Sequence, residues 1–249
     1  MTTVSLPAKP PFQFPALPVR FPRRDIRAAL ASALRVAVVA VAGGLPVLSI
    51  SAHVFGFIDM ATAARYVDLP VIAIAIGLML QRPTEGAWAA RGVVAGLVAT
   101  TAYDALRLPC AITHVWPDPF GHVGGWVVHG NAVENLAVGY LWRYVGDGGG
   151  IAVVFFLAAA LFRLRTHIIW WAVGYGVLVW SGLVATVVLS AEGQHLLFHV
   201  TPATLGVTLA GHLIYGATMG AGYHYAVATF GAPVDSTKNV AARHVALAS

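Results

Sequence analysis

The sequence predicts an all-α, polytopic transmembrane helix bundle of about six spans, on the evidence of its composition, its long apolar runs and its charge distribution. Of its 249 residues, 58% are hydrophobic and only 10% are Asp, Glu, Lys or Arg, whereas soluble domains carry about 25% charged residues. A chain so poor in charge has too little polar surface to cover a water-soluble globule. The lipid bilayer is therefore the first expected partner of this chain.

Apolar runs long enough to cross a membrane recur along the chain, since a span needs about 20 predominantly apolar residues. These runs predict spans at 29–52, 66–81, 87–107, 168–190 and 203–227. Two further apolar segments, 131–146 and 151–164, are separated by Asp147 and three glycines. Residues 108–130 lie between the span predicted at 87–107 and the apolar segment 131–146. They are rich in Pro, Gly, Trp and His and predict a loop or a re-entrant segment.

Three regions are predicted along the chain. Residues 1–27 form a Pro- and Arg-rich arm, residues 28–229 form the helical bundle, and residues 230–249 form a tail. The basic arm favours a cytoplasmic N-terminus and contact with anionic lipid. The net charge of +5 is thus attributed to membrane topology. No nucleic-acid partner is expected, because no basic patch is interleaved with exposed aromatics.

The number of spans depends on the middle of the chain. Counting 151–164 but not 131–146 gives six spans and keeps Arg163 and Arg165 in the cytoplasm, as the positive-inside rule requires. Counting 131–146 as well gives seven spans and places both arginines outside. Charge bias therefore favours six.

A single cysteine, Cys110, limits the cofactors that this chain could bind. It excludes an intramolecular disulfide, a CxxCH haem attachment and any multi-thiolate zinc or iron–sulfur site. A bound metal ion would need imidazole, carboxylate or backbone ligands.

In the six-span arrangement, most of the ten histidines collect near the extracytoplasmic face. Imidazole and carboxylate are the usual ligands of zinc, iron or copper where thiolates are absent. His195 and His199 lie four residues apart, so they share a face if their segment is helical. We expect a transition-metal site (Zn, Fe or Cu) formed by His129, His195, His199 and His212. The alternative is that each histidine is an interfacial anchor with one hydrogen bond.

Three charged residues are candidates for catalysis. Asp104 and Arg107 lie three residues apart, so one helix face can hold them as an ion pair, which offsets the cost of charge near lipid. One interpretation is a structural salt bridge. The other assigns Arg107 to a phosphate or carboxylate group of a substrate, with Asp104 or Glu134 as the proton acceptor.

Three stretches carry a resemblance to a known family: GLVATTAYDALRLP, HGNAVENLAVGY and GHLIYGATMG. On these stretches the chain resembles a loosely defined family of prokaryotic polytopic membrane proteins that have YDxxR and GHxxYGxxxG helix motifs and no settled activity. The matching positions are Tyr103, Asp104, Arg107, His129, Asn131, His212 and Tyr215. The resemblance implies a multi-pass protein of the prokaryotic inner membrane. It also implies that the middle helix crosses the membrane, which favours seven spans.

Three functions remain open from the sequence. The first is a membrane-embedded, metal-dependent enzyme with its site near the outer face, acting on a lipid-like or small apolar substrate. The second is a non-catalytic or electron-transfer subunit that assembles with other membrane subunits, with haem b between His53 and His212 as a less favoured cofactor. The third is a small-molecule or ion transporter. Against a transporter, the sequence has no visible inverted repeat and its predicted spans carry no mid-span charge except Arg35.

Overall fold

The computed structural model describes residues 26–81, 83–131 and 133–231 of the protein. Nearly all of the predicted arm, 1–27, and of the predicted tail, 230–249, lies outside these residues. The described residues form helices and no strands, which confirms the all-α prediction.

Seven helices account for most of the described residues, and all of them except the fourth are long. They are α1 (Ile26–Val54), α2 (Met60–Leu80), α3 (Pro83–Ile112), α4 (Phe120–His129), α5 (Leu136–Leu161), α6 (Ile168–Leu189) and α7 (Pro202–Phe230). The last helix begins at a capping box, in which Thr201 and Thr204 exchange side-chain and backbone hydrogen bonds before a proline in the first turn.

Four of the described helices are long and apolar enough to cross a membrane: α1 from Ala33 onward, α2, α5 and α6. This finding supports a polytopic membrane protein, with four candidate spans where the sequence predicts six or seven. The 30-residue α3 and the 29-residue α7 are long enough but less apolar. The reason in α3 is charge, at Glu85, Arg91, Asp104 and Arg107, whereas α7 is rich in Gly, Thr, His and Tyr.

The predicted break in the middle of the chain, at Asp147, is wrong. The sequence predicts separate segments at 131–146 and 151–164, whereas α5 runs through the glycines as one helix from Leu136 to Leu161. Within α5, the backbone of Trp142–Gly149 is π-helical.

The glycines of α5 serve close packing instead of ending the helix. Gly150 lies against the backbone of Gly43 in α1, and Gly148 lies against Thr100 in α3. A Cβ atom at either glycine would overlap the neighbouring helix, so only glycine permits this approach. Glycine composition alone does not distinguish such a contact from a helix end, which is why the sequence predicts a break.

Neighbouring long helices run in opposite directions. Along the α3–α5 contact, Gly92 lies against Val153 and Gly96 lies against Gly148, so the two helices are antiparallel. The packing order is α2, α1, α5, α3, α7, α6, which places α3 and α5 at the centre. We call the end of the bundle where α1 begins the Arg35 end, and the opposite end the Asp118 end.

The short helix α4 packs over the Asp118 end. Its Gly124 lies against the backbone oxygen of Asn135, just before α5 begins. Trp116, in the segment that leads into α4, is buried with its ring 4.6 Å from that of Phe198. The predicted loop or re-entrant segment at 108–130 is therefore the end of α3 followed by a short, packed helix.

Candidate functional site

Five polar side chains from three parts of the chain meet near the Asp118 end, and we call them the charged cluster. Asp104 and Arg107 lie in the last third of α3, Asp118 precedes α4, and Tyr140 and Arg143 lie in the first three turns of α5. The close approach of α3 to α5 brings these groups together, although they are up to 39 residues apart in sequence.

Arg107 is the centre of the charged cluster. Its side chain is 2% exposed, and its Nε donates to Asp104 Oδ1 at 2.9 Å. One terminal nitrogen donates to the Tyr140 hydroxyl at 2.9 Å, and the other lies 3.2 Å from Asp118 Oδ1. The predicted Asp104–Arg107 pair is therefore formed, and it is part of a larger network. Such partners are required for a guanidinium that is removed from water.

Arg143 joins α5 to the same carboxylate. Its Nη2 donates to Asp104 Oδ1 at 3.2 Å, and its side chain is 13% exposed. The guanidinium carbon lies 4.5 Å from the ring centroid of Tyr103 and 5.0 Å from that of Phe120, within the range of a cation–π contact. Two guanidiniums thus share one buried carboxylate between aromatic faces.

Asp118 and Tyr140 connect the charged cluster to the surface. The Tyr140 hydroxyl donates to Asp118 Oδ2 at 2.6 Å. Asp118 is 27% exposed, whereas Asp104 is 2% exposed. Hydrogen bonds therefore run without interruption from a partly exposed carboxylate to a fully buried one.

Asp147 lies one turn beyond Arg143, in the π-helical stretch of α5. It is 5% exposed, and its Oδ1 has no hydrogen-bond partner among the described residues. Asp104 Oδ2 and Arg143 Nε are also buried without a hydrogen-bond partner among the described residues. A buried polar atom without a partner is costly, and π-helical turns are frequent at functional sites. Asp147 therefore extends the candidate site toward the centre of the bundle.

Two buried residues of α7 complete the inner side of the site. His212 Nδ1 lies 2.8 Å from the backbone oxygen of Thr208, and its ring meets that of Tyr103 edge-on at 5.2 Å. The Tyr215 hydroxyl donates to the backbone oxygen of Gly148 at 2.5 Å. Both positions belong to the GHxxYGxxxG motif, in which His212 contacts α3 and Tyr215 contacts α5, whereas Gly216 and Gly220 pack against α6.

The four histidines predicted as metal ligands do not converge. His129 ends α4, and His195 and His199 lie in the connection between α6 and α7; all three are exposed, whereas His212 is buried within the bundle. In the parts of the chain that the structure describes, no three His, Cys, Asp or Glu side chains are grouped so that they could hold a metal ion. The predicted metal site is therefore not supported.

The remaining sequence candidates also separate. Glu134 is exposed, with Oε1 3.8 Å from His122 Nε2, so of the two predicted proton acceptors only Asp104 belongs to the charged cluster. The pair proposed for haem has different ring partners, because His53 packs on Trp126 at 4.7 Å and His212 packs on Tyr103.

Sequence reasoning missed Tyr140, Arg143 and Asp147. The signal was present, since Arg143 and Asp147 are spaced four residues apart and share a helix face if the segment is continuous. The predicted break at Asp147 concealed that spacing. Because α5 is one candidate span, the prediction that Arg35 is the only mid-span charge is wrong.

The comparison with known families covers the whole of this site. The model of a family of unknown function, DUF6789, matches residues 87–231, which is more than half of the chain. No curated protein and no solved structure matches the chain significantly. The matched region extends from the first part of α3 to the end of α7 and includes every residue of the charged cluster. On this evidence, the chain belongs to the family of unknown function DUF6789.

Proposed function

We propose that all six long helices cross the membrane, with both chain ends in the cytoplasm of a prokaryotic cell. At 1.5 Å per residue, α3 and α7 each extend about 44 Å, which exceeds the roughly 30 Å of a hydrocarbon core. Asp104 and Arg107 of α3 and His212 of α7 are buried in the bundle, where charge is tolerated in a membrane. Arg163 and Arg165 then lie at the Arg35 end, and the positive-inside rule assigns that end to the cytoplasm.

Labelling of single cysteines tests this topology. In a Cys110→Ser background, Gln194→Cys and Thr166→Cys place one thiol in an exposed connection at each end of the bundle. A membrane-impermeant maleimide added to intact cells should label the first variant and leave the second unlabelled until the cells are lysed. The opposite pattern would mean that the protein has the reverse orientation. Equal labelling of both variants would contradict the proposal that α6, which separates the two positions, crosses the membrane.

Within that topology, we propose that the protein transfers protons through the charged cluster and Asp147. The observation that carries this proposal is the hydrogen-bonded series from Asp118 through Tyr140 and Arg107 to Asp104 and Arg143. Chains of ionisable groups inside membrane proteins are typical of proton relays in pumps and transporters. The function is therefore closest to the transporter hypothesis.

The position of Asp147 supports uptake of the proton from the Asp118 end. Asp147 lies about 16 Å along the axis from the first residue of α5 at 1.5 Å per residue, near the middle of a bilayer about 30 Å thick. Its unpartnered Oδ1 can accept a proton, and Arg143 one turn away stabilises the carboxylate when the proton leaves. The guanidiniums stay charged throughout, so the carboxylates and the Tyr140 hydroxyl are the groups that exchange protons, and we propose that water entering from the Asp118 end carries each proton past Arg107 and Arg143.

Beyond Asp147, two hydroxyls continue toward the Arg35 end. Tyr215 donates to the backbone oxygen of Gly148, and Tyr175 of α6 donates to that of Ile151 at 3.3 Å. Both acceptors lie on the part of α5 that follows Asp147. A tyrosine that accepts a proton from water on the Asp147 side while its own hydroxyl proton leaves for water on the other side stays neutral, and we assign the second half of the proposed route to Tyr215 and Tyr175 acting in this way.

Proton flux in proteoliposomes tests the proposal. Vesicles that contain the purified protein and a trapped pH-sensitive dye are given a potassium diffusion potential, negative inside, with valinomycin. The wild type should acidify the lumen faster than protein-free vesicles. Asp147→Asn and Asp104→Asn each remove an exchangeable proton while keeping similar shape, so both should lower the rate to that of protein-free vesicles.

Asp59→Asn is the matched control for these two variants. Asp59 is exposed, and its side chain caps α2 by accepting from the Thr62 backbone N–H, a role that asparagine also fills. This variant should retain the wild-type rate. A wild-type rate equal to that of empty vesicles, or an Asp147→Asn rate equal to wild type, would remove the proton-transfer proposal and favour a subunit or structural role.

A further inference from the structure

An apolar groove lies in the half of the bundle nearer the Arg35 end, separate from the charged cluster. Its volume is about 650 Å³, and α1, α2, α3 and α5 form its walls with apolar side chains and glycine. Sites that hold small molecules have volumes of about 300–1,000 Å³. Representative lining residues are Val39, Pro46, Ile72, Met79, Ala90 and Val145.

The length of the groove matches one leaflet of a bilayer. Along α1 it extends from Val39 to Pro46, and along α2 from Ile72 to Leu80, which correspond to about 10–12 Å at 1.5 Å per residue. Half of a hydrocarbon core is about 15 Å deep. Several wall residues, including Ile76 and Ala90, are exposed on the protein surface, so the groove is open to the acyl chains around the bundle.

A charged pair lies at the end of the groove where a headgroup would sit. Arg35 precedes Val39 by one helical turn and therefore lies on the same face of α1. Its Nε is 3.8 Å from Glu85 Oε2 of α3, and this buried nitrogen has no hydrogen-bond partner among the described residues. The side chain is 20% exposed, so a guanidinium with donor capacity remains reachable from the surface.

We infer that the groove binds one phospholipid, with an acyl chain between α1, α2 and α3 and the phosphate on Arg35. A hydrocarbon chain suits walls without polar side chains, and guanidinium binds phosphate through charge-assisted hydrogen bonds. Glu85 beside Arg35 suits the ammonium group of a zwitterionic headgroup. The lipid is therefore a zwitterionic phospholipid such as phosphatidylethanolamine.

The lipid site does not depend on proton transfer. Val145 and Gly146 of α5 line the groove, whereas Arg143 contacts the charged cluster from another face of the same helix. No residue of the charged cluster lines the groove. Failure of the proton-flux experiment would therefore not contradict the lipid site. Failure of the lipid-retention experiment would likewise not contradict proton transfer.

Lipid retention by the purified, full-length protein tests the inference. Protein in a mild detergent is incubated with phosphatidylethanolamine, washed on an affinity column and extracted, and lipid phosphorus is measured per chain. The wild type should retain phospholipid. Ala90→Phe places a ring in the groove and should lower retention by about tenfold.

Ala73→Phe is the matched control, because Ala73 is an exposed residue of α2 that does not line the groove. It should retain phospholipid as the wild type does. Gel filtration and circular dichroism establish that each variant is folded. If Ala90→Phe fails to fold, Ile76→Trp blocks the groove from α2 and takes its place.

The headgroup contact is tested separately. Arg35→Gln should lower phospholipid retention by about tenfold and leave retention of dioleoylglycerol, which lacks the phosphate, unchanged. Arg65→Gln, at an exposed position of α2, should change neither. Inorganic phosphate at millimolar concentration should fail to displace the lipid, since it cannot fill the groove.

Three results would overturn the inference. The first is a wild-type protein that retains no phospholipid above a detergent blank. The second is equal retention by Ala90→Phe and Ala73→Phe. The third is equal retention by Arg35→Gln and Arg65→Gln, which would leave the groove as a surface covered by exchanging bilayer lipid.

Discussion

The two halves of the bundle use the same central helices in opposite ways. Near the Asp118 end, α3 and α5 present Asp104, Arg107 and Arg143, which are packed against one another and against aromatic rings. Near the Arg35 end, the same two helices present alanines, valines and glycines to an open groove of about 650 Å³. Each of these two helices therefore presents charge near the Asp118 end and an apolar surface to the groove near the Arg35 end.

The boundary between the halves is a tight backbone contact. Gly96 of α3 and Gly148 of α5 lie so close that neither has space for a Cβ atom. Close approach fixes the register of the two helices, and register decides which charges meet above the contact. The charged cluster thus depends on the close contact of these glycines, and mutation of each can test this dependence.

Replacing Arg107 with leucine should have the largest effect on stability. The change leaves Asp104 and Asp118 buried or half-buried without their common cation, and loss of one partner from a buried ion pair costs about 3–5 kcal/mol. Thermal unfolding in detergent can be monitored by the reaction of Cys110 with a thiol-specific fluorescent dye. The unfolding midpoint of the variant should be much lower than that of the wild type.

The control for that change is Arg65→Leu, which removes an exposed arginine from α2 and should shift the midpoint little. A similar small shift for Arg107→Leu would mean that Asp104 and Asp118 find other partners. The stability of the charged half of the bundle would then not depend on the contacts of Arg107.

Replacing Tyr140 with phenylalanine should have the next largest effect. The hydroxyl donates to Asp118 at 2.6 Å and accepts from Arg107 at 2.9 Å, and hydrogen bonds to charged groups contribute about 1.5–3 kcal/mol. The same variant should also interrupt proton flux, because it removes the group that joins the surface carboxylate to the buried network. Tyr66→Phe, at an exposed site, should leave both stability and flux unchanged.

Local patterns predicted the helices and one contact of the site. Apolar run length identifies α1, α2 and α6, because about 20 apolar residues are needed to cross lipid. The three-residue spacing of Asp104 and Arg107 predicts their ion pair, because a helix places them on one face. Both inferences depend only on periodicity within a single helix.

The rest of the site depends on contacts between distant segments. Tyr140 and Arg143 reach Asp104 and Arg107 because α3 and α5 pack together at Gly96 and Gly148, and no local pattern states that register. The histidine prediction fails for the same reason. Proximity to one face of the membrane does not determine orientation, and His212 points into the bundle while His195 is exposed.

Replacing Gly148 with alanine tests the boundary itself. The added methyl would overlap Thr100 Oγ1, so α3 and α5 must move apart at a cost of about 1–3 kcal/mol. We expect a lower unfolding midpoint together with loss of proton flux, since the charged cluster loses its register. Gly44→Ala in α1 is the control, because a Cβ atom there has nothing within 4 Å. Normal flux in Gly148→Ala would show that the cluster forms without the tight contact.

The smallest expected effect has the opposite sign and comes from a pair of glycines in α6. A Cβ atom at Gly174 meets nothing within 4 Å, whereas one at Gly176 lies 2.5 Å from the backbone oxygen of His212 in α7. Gly174→Ala should therefore raise stability by about 0.5–1 kcal/mol, the amount by which alanine exceeds glycine within a helix. Gly176→Ala should lower stability, because α7 must shift and the buried His212 shifts with it. Thermal unfolding of the two variants side by side measures both signs, and equal shifts would mean that α7 is not held against α6 at backbone distance.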